Sequence, residues 1–233
     1  MKLSVIVPCY NEKKNIPLIL ERFHQVIHRD DVEVILVNNG STDGSETVLA
    51  ELLPRYPWAR SVLVEVNQGY GFGILSGLRE ARGEFLGWTH ADMQTDPRDP
   101  IRALEIIEER GGDPRLYVKG LRKGRPFLDE FFTVGMSLFE TLYMGTRLWD
   151  INAQPNIFHK SFFREWSSPP SDFSLDLYAL YMAKSRGLEV VRFPVLFPER
   201  VHGESSWNTG LKAKWKFIKR TFDYSLRLKK ELR

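Results

Sequence analysis

The segment 88–97 holds the side chains of this sequence that are best suited to chemistry. It follows an apolar run and contains His90, Asp92, Gln94 and Asp96. In an extended chain alternate residues point the same way, so positions 90, 92 and 94 would share one side. Carboxylate and amide oxygens suit Mg²⁺ or Mn²⁺, and an imidazole favours Mn²⁺ slightly. The segment therefore predicts a cation site that bridges two phosphates; a turn that caps a helix is the alternative.

The elements that must position these side chains alternate along the first half of the chain. Short apolar runs predict strands at Leu3–Val7, Val32–Val37, Val62–Val66 and Glu84–Trp88. Helical stretches lie between them, near 15–27, 45–55 and 73–82. This alternation predicts an α/β fold with a mostly parallel sheet flanked by helices. Ligands of such sheets collect at the carboxyl ends of the strands.

Each predicted strand is followed by a polar loop. The loops are Pro8–Glu12, Asn38–Gly44, Asn67–Gly73 and 90–97. Because parallel strands end at one edge of a sheet, we expect the four loops to converge on one crevice. In the second loop Thr42 or Asp43 is a candidate helix cap, and Asn39 is a candidate contact to a base or ribose.

The glycines of the third loop do not form a dinucleotide-binding fingerprint. Gly69-Tyr-Gly-Phe-Gly73 has the wrong spacing and follows the third strand rather than the first. We expect these glycines to let the backbone approach a ligand, or to begin the next helix.

The second half is less regular. It predicts strands at Tyr117–Gly120 and Leu188–Phe197 and helices at Phe127–Leu148 and Ser174–Ser185. The 233 residues suffice for one large core, and we favour a single domain. No apolar run reaches the roughly 18–20 residues of a transmembrane span, and the N-terminus predicts a strand, so we expect neither a span nor a signal peptide. The single cysteine, Cys9, is expected to be a packing residue in a reducing cytosol.

Basic residues concentrate at the end of the chain. Residues 212–233 contain nine Lys or Arg and two acids, whereas the whole chain has a net charge of only +3. One apolar stripe runs through this tail: Leu211, Trp215, Ile218, Phe222 and Leu226. The pattern predicts an amphipathic helix over 211–233 that either lies on an anionic membrane or packs on the domain. Nucleic-acid binding is disfavoured, because the rest of the chain is acidic and carries no such motif.

The loops together resemble the nucleotide-sugar half of family 2 glycosyltransferases, which have the Rossmann-like GT-A fold. The segments are, in order, Val5-Ile-Val-Pro-Cys-Tyr-Asn-Glu12, Asn38-Asn-Gly-Ser-Thr-Asp-Gly-Ser45, Asn67-Gln-Gly-Tyr-Gly71 and His90-Ala-Asp-Met-Gln94. Within that family the chain is most similar to the polyprenyl-phosphate sugar transferases. The resemblance implies a nucleotide-sugar half at 1–125, an acceptor half at 126–210 and the tail at 211–233.

The resemblance also implies roles for single residues. The cation would be held by Asp92 and Gln94, with His90 standing where the family has its first Asp. The donor nucleotide sugar would be bound by Pro8, Tyr10, Glu12, Asn38, Asn39, Gly69, Gly71, Ala91, Lys123 and Ser205. The usual Asp-Asp pair is an Asn pair here, and because an amide both donates and accepts, the base stays open.

The acceptor half contains the remaining candidates. Arg122 and Lys123 follow a predicted strand and would offer cations to a phosphate, unless they form a solvated loop. Asp172 and Asp176 would share a helix face if the helix begins at Asp172, and either could be a general base for a hydroxyl acceptor. A phosphate acceptor needs no base, and Asp172 is also a candidate helix cap.

A further segment of the acceptor half, 199–207, resembles the Arg-x-x-Gly-Glu-Ser-Lys lid of the polyprenyl-phosphate transferases. This implies phosphate contacts at Arg200 and Ser205, although Ser206 replaces the lysine. His202 is either a neighbour of the metal site or a surface residue.

We therefore expect an inverting, metal-dependent glycosyltransferase with Asp92, Asp172, Asp176, Arg122 and Arg200 in its catalytic site. Its partners would be a nucleoside-diphosphate sugar and a polyprenyl phosphate or lipid-linked glycan, at the cytoplasmic face of a membrane. The alternatives are a cytosolic transferase for a soluble or cell-envelope glycan and a nucleotide-sugar-binding protein without turnover.

Overall fold

Seven strands form one sheet in the order β3-β2-β1-β4-β6-β5-β7. The structure, a computed structural model, describes residues 1–124, 127–198, 219 and 222–230. The strands are β1 (Leu3–Cys9), β2 (Val32–Asn39), β3 (Ala59–Val64), β4 (Phe85–Trp88), β5 (Leu116–Lys123), β6 (Asn156–His159) and β7 (Glu189–Leu196). The helices are α1 (Ile16–Val26), α2 (Ser45–Leu52), α3 (Tyr70–Glu80), α4 (Arg98–Glu109), α5 (Phe127–Met144), α6 (Lys160–Arg164), α7 (Leu175–Ser185) and α8 (222–230), with a 3₁₀ turn at Leu53–Arg55.

Most of the strands run in the same direction. β1 pairs in parallel with both β2 and β4, β2 with β3, and β5 with β7, whereas β6 runs antiparallel between β4 and β5. All strands except β6 therefore end at the same edge of the sheet. The chain order reverses at β1, which is where α/β sheets open a ligand crevice.

The two faces of the sheet are covered by different helices. Along β1, Val5 and Val7 enter a core with α1 and α4, while Ile6 enters a core with α3 and α7. This alternation of buried side chains is what a strand covered on both faces requires. The cores fix the ends of β1, β2 and β4, from which the polar loops project.

The predicted strands and helices are present, with shifted bounds. β3 runs over Ala59–Val64 rather than Val62–Val66, and Val66 is 69% exposed. Three elements have no counterpart in the predicted pattern: α4, β6 and α6. β6 has only four residues, two of them polar, and such a short run has too little pattern to indicate a strand.

The last helix packs on α5. The Phe222 ring lies 5.1 Å from that of Phe139, and Ser225 Oγ donates to Glu140 Oε1 at 2.7 Å. Of the predicted apolar stripe only Phe222 and Leu226 fall within the described residues; Leu211, Trp215 and Ile218 lie outside them. Among the helices that the structure describes, none is long and apolar enough to cross a bilayer.

Candidate functional site

The loops after β1 and β2 are joined by hydrogen bonds into one rim. The backbone N–H of Asn11 donates to Ser41 Oγ at 3.0 Å, and Thr42 N donates to Asn11 Oδ1 at 2.8 Å. Lys13 N donates to Asp43 Oδ2 at 3.0 Å. Asn11 adopts a φ of 57°, a left-handed conformation that asparagine tolerates. The polar loops therefore converge as the parallel-sheet argument predicts.

Asp43 also organises the start of α2. Its Oδ1 accepts from the backbone N–H of Ser45 at 3.0 Å and from Ser45 Oγ at 2.6 Å. Although burial raises its pKa, these hydrogen bonds prevail and lower it. Asp43 thus holds the β2 loop against the helix.

The loop after β3 is attached to the same rim. Asn39 Nδ2 donates to the carbonyl of Gly69 at 2.9 Å. A Cβ on Gly71 would lie 2.6 Å from the carbonyl oxygens of Pro170 and Asp172, so this glycine lets the 170–172 loop approach. The glycines thus join the two halves of the fold, a packing role beside the ligand contact expected of them.

The residues predicted to bind the donor nucleotide sugar differ in how accessible they are to a ligand. Asn38 and Asn39 are 2% and 3% exposed, and Asn38 Oδ1 accepts from Ser41 N at 3.2 Å. Asn39 Oδ1 is buried without a hydrogen-bond partner in the part of the chain that the structure describes, so it offers a free acceptor. Tyr10 is 49% exposed, whereas Pro8 and Glu12 are half-buried. Glu12 is engaged by Asn15, whose Nδ2 donates to it at 2.6 Å.

The cation segment forms a loop rather than a strand extension. β4 ends at Trp88, residues 91–95 bend, and Met93 takes a φ of 61°. The hydroxyls of Thr89 and Thr95, both fully buried, close the loop at 2.8 Å. The expected alternation of positions 90, 92 and 94 is therefore wrong, because the chain is no longer extended there.

Asp92 and Gln94, which both carry side-chain oxygens, lie in this loop. Asp92 is 4% exposed, and its Oδ1 accepts from Gln94 N at 3.1 Å. Gln94 Nε2 donates to the carbonyl of Pro198 at 3.2 Å, which fixes the amide plane. Ala91 between His90 and Asp92 is buried, at 4% exposure.

These oxygens fit a hard divalent cation. Within the described ranges no three His, Cys, Asp or Glu side chains converge as a metal site. Mg²⁺ and similar cations are commonly held by one or two carboxylates, with substrate phosphates and water completing the shell. Asp92 and Gln94 suit such a partial shell.

Asp96 has a structural role at the exit of the loop. Arg22 makes a bidentate pair with it, at 2.9 Å from Nε to Oδ1 and 2.8 Å from Nη2 to Oδ2. Asp96 Oδ1 also accepts from the backbone N–H of Arg98 at 3.0 Å, at the start of α4. Asp96 therefore joins α1 to the start of α4.

Asp176 lies beneath the cation loop, 2% exposed. Its Oδ1 accepts three N–H bonds, from Gln154 Nε2 at 2.8 Å, Asn156 Nδ2 at 3.1 Å and Trp88 Nε1 at 3.2 Å. Burial raises the pKa of Asp176, and the nearby charges of Lys119 and His90 act in the opposite direction. A carboxylate held in this way positions its neighbours.

Lys119 carries the counter-charge of this network. Its fully buried Nζ donates to Asn156 Oδ1 and to the Ala153 carbonyl, each at 2.6 Å. Burial lowers the pKa of Lys119 to about 7. Tyr70 joins the other end of the network, where its hydroxyl accepts from Gln154 Nε2 at 3.1 Å.

Arg122 is paired inside the protein. Its Nε donates to Asp150 Oδ1 at 2.7 Å, and its backbone N–H donates to Asp150 Oδ2 at 2.8 Å. Burial raises the pKa of Asp150, but the charge and hydrogen bonds of Arg122 outweigh it and the pKa is lowered. Lys123 is exposed, so of the two cations it is the more available to an outside anion.

The two acids of the acceptor half do not share a helix face. α7 begins at Leu175, so Asp172 precedes it, and Asp172 Oδ1 accepts from Ser174 N at 2.8 Å. The condition for a common face, a helix beginning at Asp172, is not met. Arg200, His202, Ser205 and Ser206 lie outside the described residues.

Sequence reasoning missed the buried polar residues that support the site. These are Trp88, Lys119, Gln154 and Asn156. A lysine inside an apolar strand was the available signal, because an unpaired charge is too costly to bury. Gln154 and Asn156 lie far from Asp176 in sequence and gave no comparable signal.

Comparison with known proteins places the chain in a family. The family model "Glycosyl transferase family 2" matches residues 4–164. An undecaprenyl-phosphate 4-deoxy-4-formamido-L-arabinose transferase of Photorhabdus laumondii is 30% identical over 112 residues, which are 46% of this chain and 34% of that protein. A dolichol-phosphate mannosyltransferase of Pyrococcus furiosus is 26% identical over 212 residues, 88% of this chain and 59% of that protein. The chain thus spans only about a third to three fifths of these relatives.

Solved structures agree on the fold. A mannosyltransferase of Pyrobaculum calidifontis, in complex with GDP-Man and Mn²⁺, has a TM-score of 0.69 at 20% identity, over 97% of this chain and 64% of that one. Glucosyl-3-phosphoglycerate synthase of Mycobacterium tuberculosis, with Mn²⁺, UDP-Glc and phosphoglyceric acid, has a TM-score of 0.75 at 16% identity, over 97% and 79%. The architecture is GT-A, as expected from the sequence. With its family model matched over more than half of its length, the chain belongs to glycosyltransferase family 2.

Proposed function

We propose that the protein transfers a sugar from a nucleoside-diphosphate sugar to a polyprenyl phosphate or a lipid-linked glycan, with inversion at the anomeric carbon. The observation that carries this proposal is the convergence of the β1, β2 and β3 loops with the Asp92–Gln94 loop at one edge of the sheet. Ligands of parallel sheets bind at that edge. The names of the polyprenyl-phosphate relatives support the acceptor class.

The donor would lie across this rim. Tyr10 is exposed enough to pack on a base, and Asn39 Oδ1 offers a buried acceptor to an N–H or hydroxyl of the nucleoside. An unsatisfied buried acceptor costs free energy, and a bound donor group would relieve that cost. Because amides accept and donate, Asn38 and Asn39 leave the identity of the base open.

Asp92 and Gln94 would hold Mg²⁺ or Mn²⁺. When bound, such a cation offsets negative charge on the departing nucleoside diphosphate. Lys123 is exposed and would add positive charge nearby, and Arg200 and Ser205 are proposed phosphate contacts by resemblance alone. Arg122 acts through its pair with Asp150, which shapes the end of β5.

A phosphate acceptor fits the chemistry of the acceptor half. Its anionic oxygen forms the new bond to the anomeric carbon while the bond to the diphosphate breaks, so configuration inverts and no proton needs removal. Asp176 is buried with three N–H donors on one oxygen, which favours a positioning role over that of a general base. Asp172 remains the candidate base for the alternative, a hydroxyl acceptor on a soluble or cell-envelope glycan.

The acceptor class implies work at a membrane surface, and we propose peripheral contact at the cytoplasmic face through the tail, 211–233. α5, on which the tail helix packs, adds an exposed apolar stripe of Val134, Leu138 and Leu142, at 37%, 56% and 75% exposure. The described part of the tail adds three exposed cations in helical backbone, Lys219, Arg227 and Lys230. Apolar side chains beside cations are typical of surfaces that bind anionic lipid.

Turnover of candidate nucleotide sugars with polyprenyl phosphate, with and without Mg²⁺ or Mn²⁺, tests the proposal. We expect Asp92→Ala to lose at least about a hundredfold in rate. Asp30→Ala should behave like the wild type, because this exposed acid precedes β2 and so lies at the opposite end of that strand from the rim. Equal turnover in Asp92→Ala would contradict the mechanism. Donor binding without turnover for any acceptor would instead support a nucleotide-sugar-binding protein.

A further inference from the structure

His90 stands within a series of rings at the site edge of the sheet. Its ring centroid lies 6.4 Å from Tyr70 and 6.3 Å from Phe197. Tyr70 in turn stacks on Phe173 at 4.7 Å with an interplanar angle of 10°. The guanidinium of Arg122 lies 5.3 Å from the centroid of Phe197. We call Phe173, Tyr70, His90 and Phe197 the ring series.

We propose that His90 is a positioning residue of the donor site and not a ligand of its cation. In this assignment, which rests on the proposed function, Asp92 and Gln94 are the protein ligands. The imidazole joins Tyr70 to Phe197 and so holds the loop that carries those ligands.

The backbone is not an extended strand between His90 and Asp92. β4 ends before His90, and the chain bends from residue 91. The alternation that would place positions 90 and 92 on one side is therefore lost. Within the described residues, no third His, Cys, Asp or Glu joins His90 and Asp92 in a metal-binding group.

The packing favours a ring at position 90. Aromatic centroids 4.5–7 Å apart in tilted or edge-to-face arrangements attract one another, by about 0.5–1.5 kcal/mol per pair. The four rings come from α3, the end of β4, the end of β7 and the loop before α7. A short carboxylate at position 90 would interrupt this contact between distant segments.

The charge of the surroundings points the same way. Asp176 lies close enough to His90 for the charges of the two side chains to interact. An Asp at position 90, as in the related metal motif, would instead repel Asp176, and the repulsion would be strong because Asp176 is buried away from water. A histidine at position 90 is therefore electrostatically compatible with the buried carboxylate of Asp176.

Mn²⁺ spectroscopy on the unaltered protein tests the assignment directly. Electron spin-echo envelope modulation detects histidine nitrogen bound to Mn²⁺, and we expect none with Mn²⁺ alone or with Mn²⁺ and inorganic pyrophosphate. By calorimetry, His90→Phe should keep the Mn²⁺ Kd within about threefold of the wild type, whereas Asp92→Asn should weaken it at least about tenfold. A histidine signal that disappears in His90→Phe would overturn the proposal.

Two further outcomes separate this inference from the proposed function. If Asp92→Asn binds Mn²⁺ like the wild type, the proposed cation site itself fails, whatever His90 does. The positioning role predicts that His90→Ala lowers the melting temperature and raises the donor KM, and that His90→Phe restores both. A phenylalanine variant no better than the alanine variant would contradict a role through ring packing.

Discussion

The ammonium nitrogen of Lys119 lies 2.6 Å from Oδ1 of Asn156, and neither residue is exposed to solvent. Asn156 also contacts Asp176 beneath the cation loop, because its Nδ2 donates a hydrogen bond to that carboxylate. A lysine in the middle of β5 thus reaches the site through one amide side chain. The stability of this network therefore depends on whether Lys119 is protonated.

We predict that Lys119 makes stability depend on pH in a specific direction. Burial lowers its pKa from 10.5 to about 7 in the folded state. Between these values the unfolded chain binds more protons, so the free energy of unfolding rises with pH, by up to about 1.4 kcal/mol per pH unit. Urea unfolding at about pH 6.5, 8 and 9.5 should show the wild type gaining stability relative to Lys119→Met.

Tyr117→Phe is the matched control for this experiment. The Tyr117 hydroxyl donates to the same Asn156 oxygen at 2.9 Å, and burial raises its pKa well above 10. Its deletion removes a hydrogen bond but no proton that titrates in this range, so its effect should not change with pH. If the difference in unfolding free energy between the wild type and Lys119→Met does not change with pH, the lysine has the same pKa in the folded and unfolded states, and the prediction is wrong.

We expect Asp150→Asn to be strongly destabilising. The side chains of Arg122 and Asp150 are 9% and 5% exposed, so the variant leaves a nearly buried guanidinium without its counter-charge. Breaking a buried pair in this way costs about 3–5 kcal/mol. Urea unfolding at neutral pH measures this loss of unfolding free energy.

Glu165→Gln is the control for this variant. The Glu165 pair with Arg186 spans 3.6 Å with both side chains about half-exposed, and its loss should cost less than about 1 kcal/mol. Similar costs for the two variants would contradict the proposed importance of the buried pair.

The convergence of the loops could be predicted from the sequence, whereas the support beneath them could not. Apolar runs alternating with helices place strand ends at one edge, and this requires only local patterns. The network of Asp176 depends on Gln154 and Asn156, which enter through β6, an antiparallel strand of four residues. Whether such a strand inserts between β4 and β5 is decided by packing across the whole sheet.

The same distinction applies to His90. Its residue type was visible as a departure from the family's motif, but its ring partners, Tyr70 and Phe197, are distant in sequence. The bend after residue 90 was also unforeseen, because an alternation argument assumes a continuous strand. The sequence therefore identifies His90 as unusual, but it does not predict where the His90 side chain points.

Gly71 should tolerate alanine poorly. An added Cβ would lie 2.6 Å from the carbonyl oxygens of Pro170 and Asp172, and backbone atoms cannot rotate away as a side chain can. We expect Gly71→Ala to cost about 1–3 kcal/mol in urea unfolding and to weaken donor binding. At Gly73 the atom nearest to an added Cβ would be the Asn39 side-chain nitrogen, at 3.2 Å, which needs to move by only a few tenths of an ångström, so Gly73→Ala should cost less than Gly71→Ala. If both variants unfold alike, the contact with the 170–172 loop is not what requires the glycine.

The apolar stripe on α5 predicts binding to anionic lipid. Leu138 and Leu142 are 56% and 75% exposed and lie one helical turn apart. Burying each side chain in a bilayer interface is worth about 1.5–3 kcal/mol. Replacing both by Glu also adds two charges that anionic lipid repels, so sedimentation with phosphatidylglycerol-containing vesicles should fall at least about tenfold.

Leu63→Glu provides the matched control for the α5 double variant. Leu63 is also 56% exposed, but it lies on β3, the edge strand at the other end of the sheet. We expect this variant to sediment with vesicles as the wild type does, because β3 and β5, the strand that leads into α5, lie on opposite sides of the sheet. Vesicles of phosphatidylcholine alone should retain little of either protein, since the cations of the tail then have no anionic partner. Unchanged sedimentation of the α5 double variant, or an equal loss in Leu63→Glu, would show that α5 is not the contact surface.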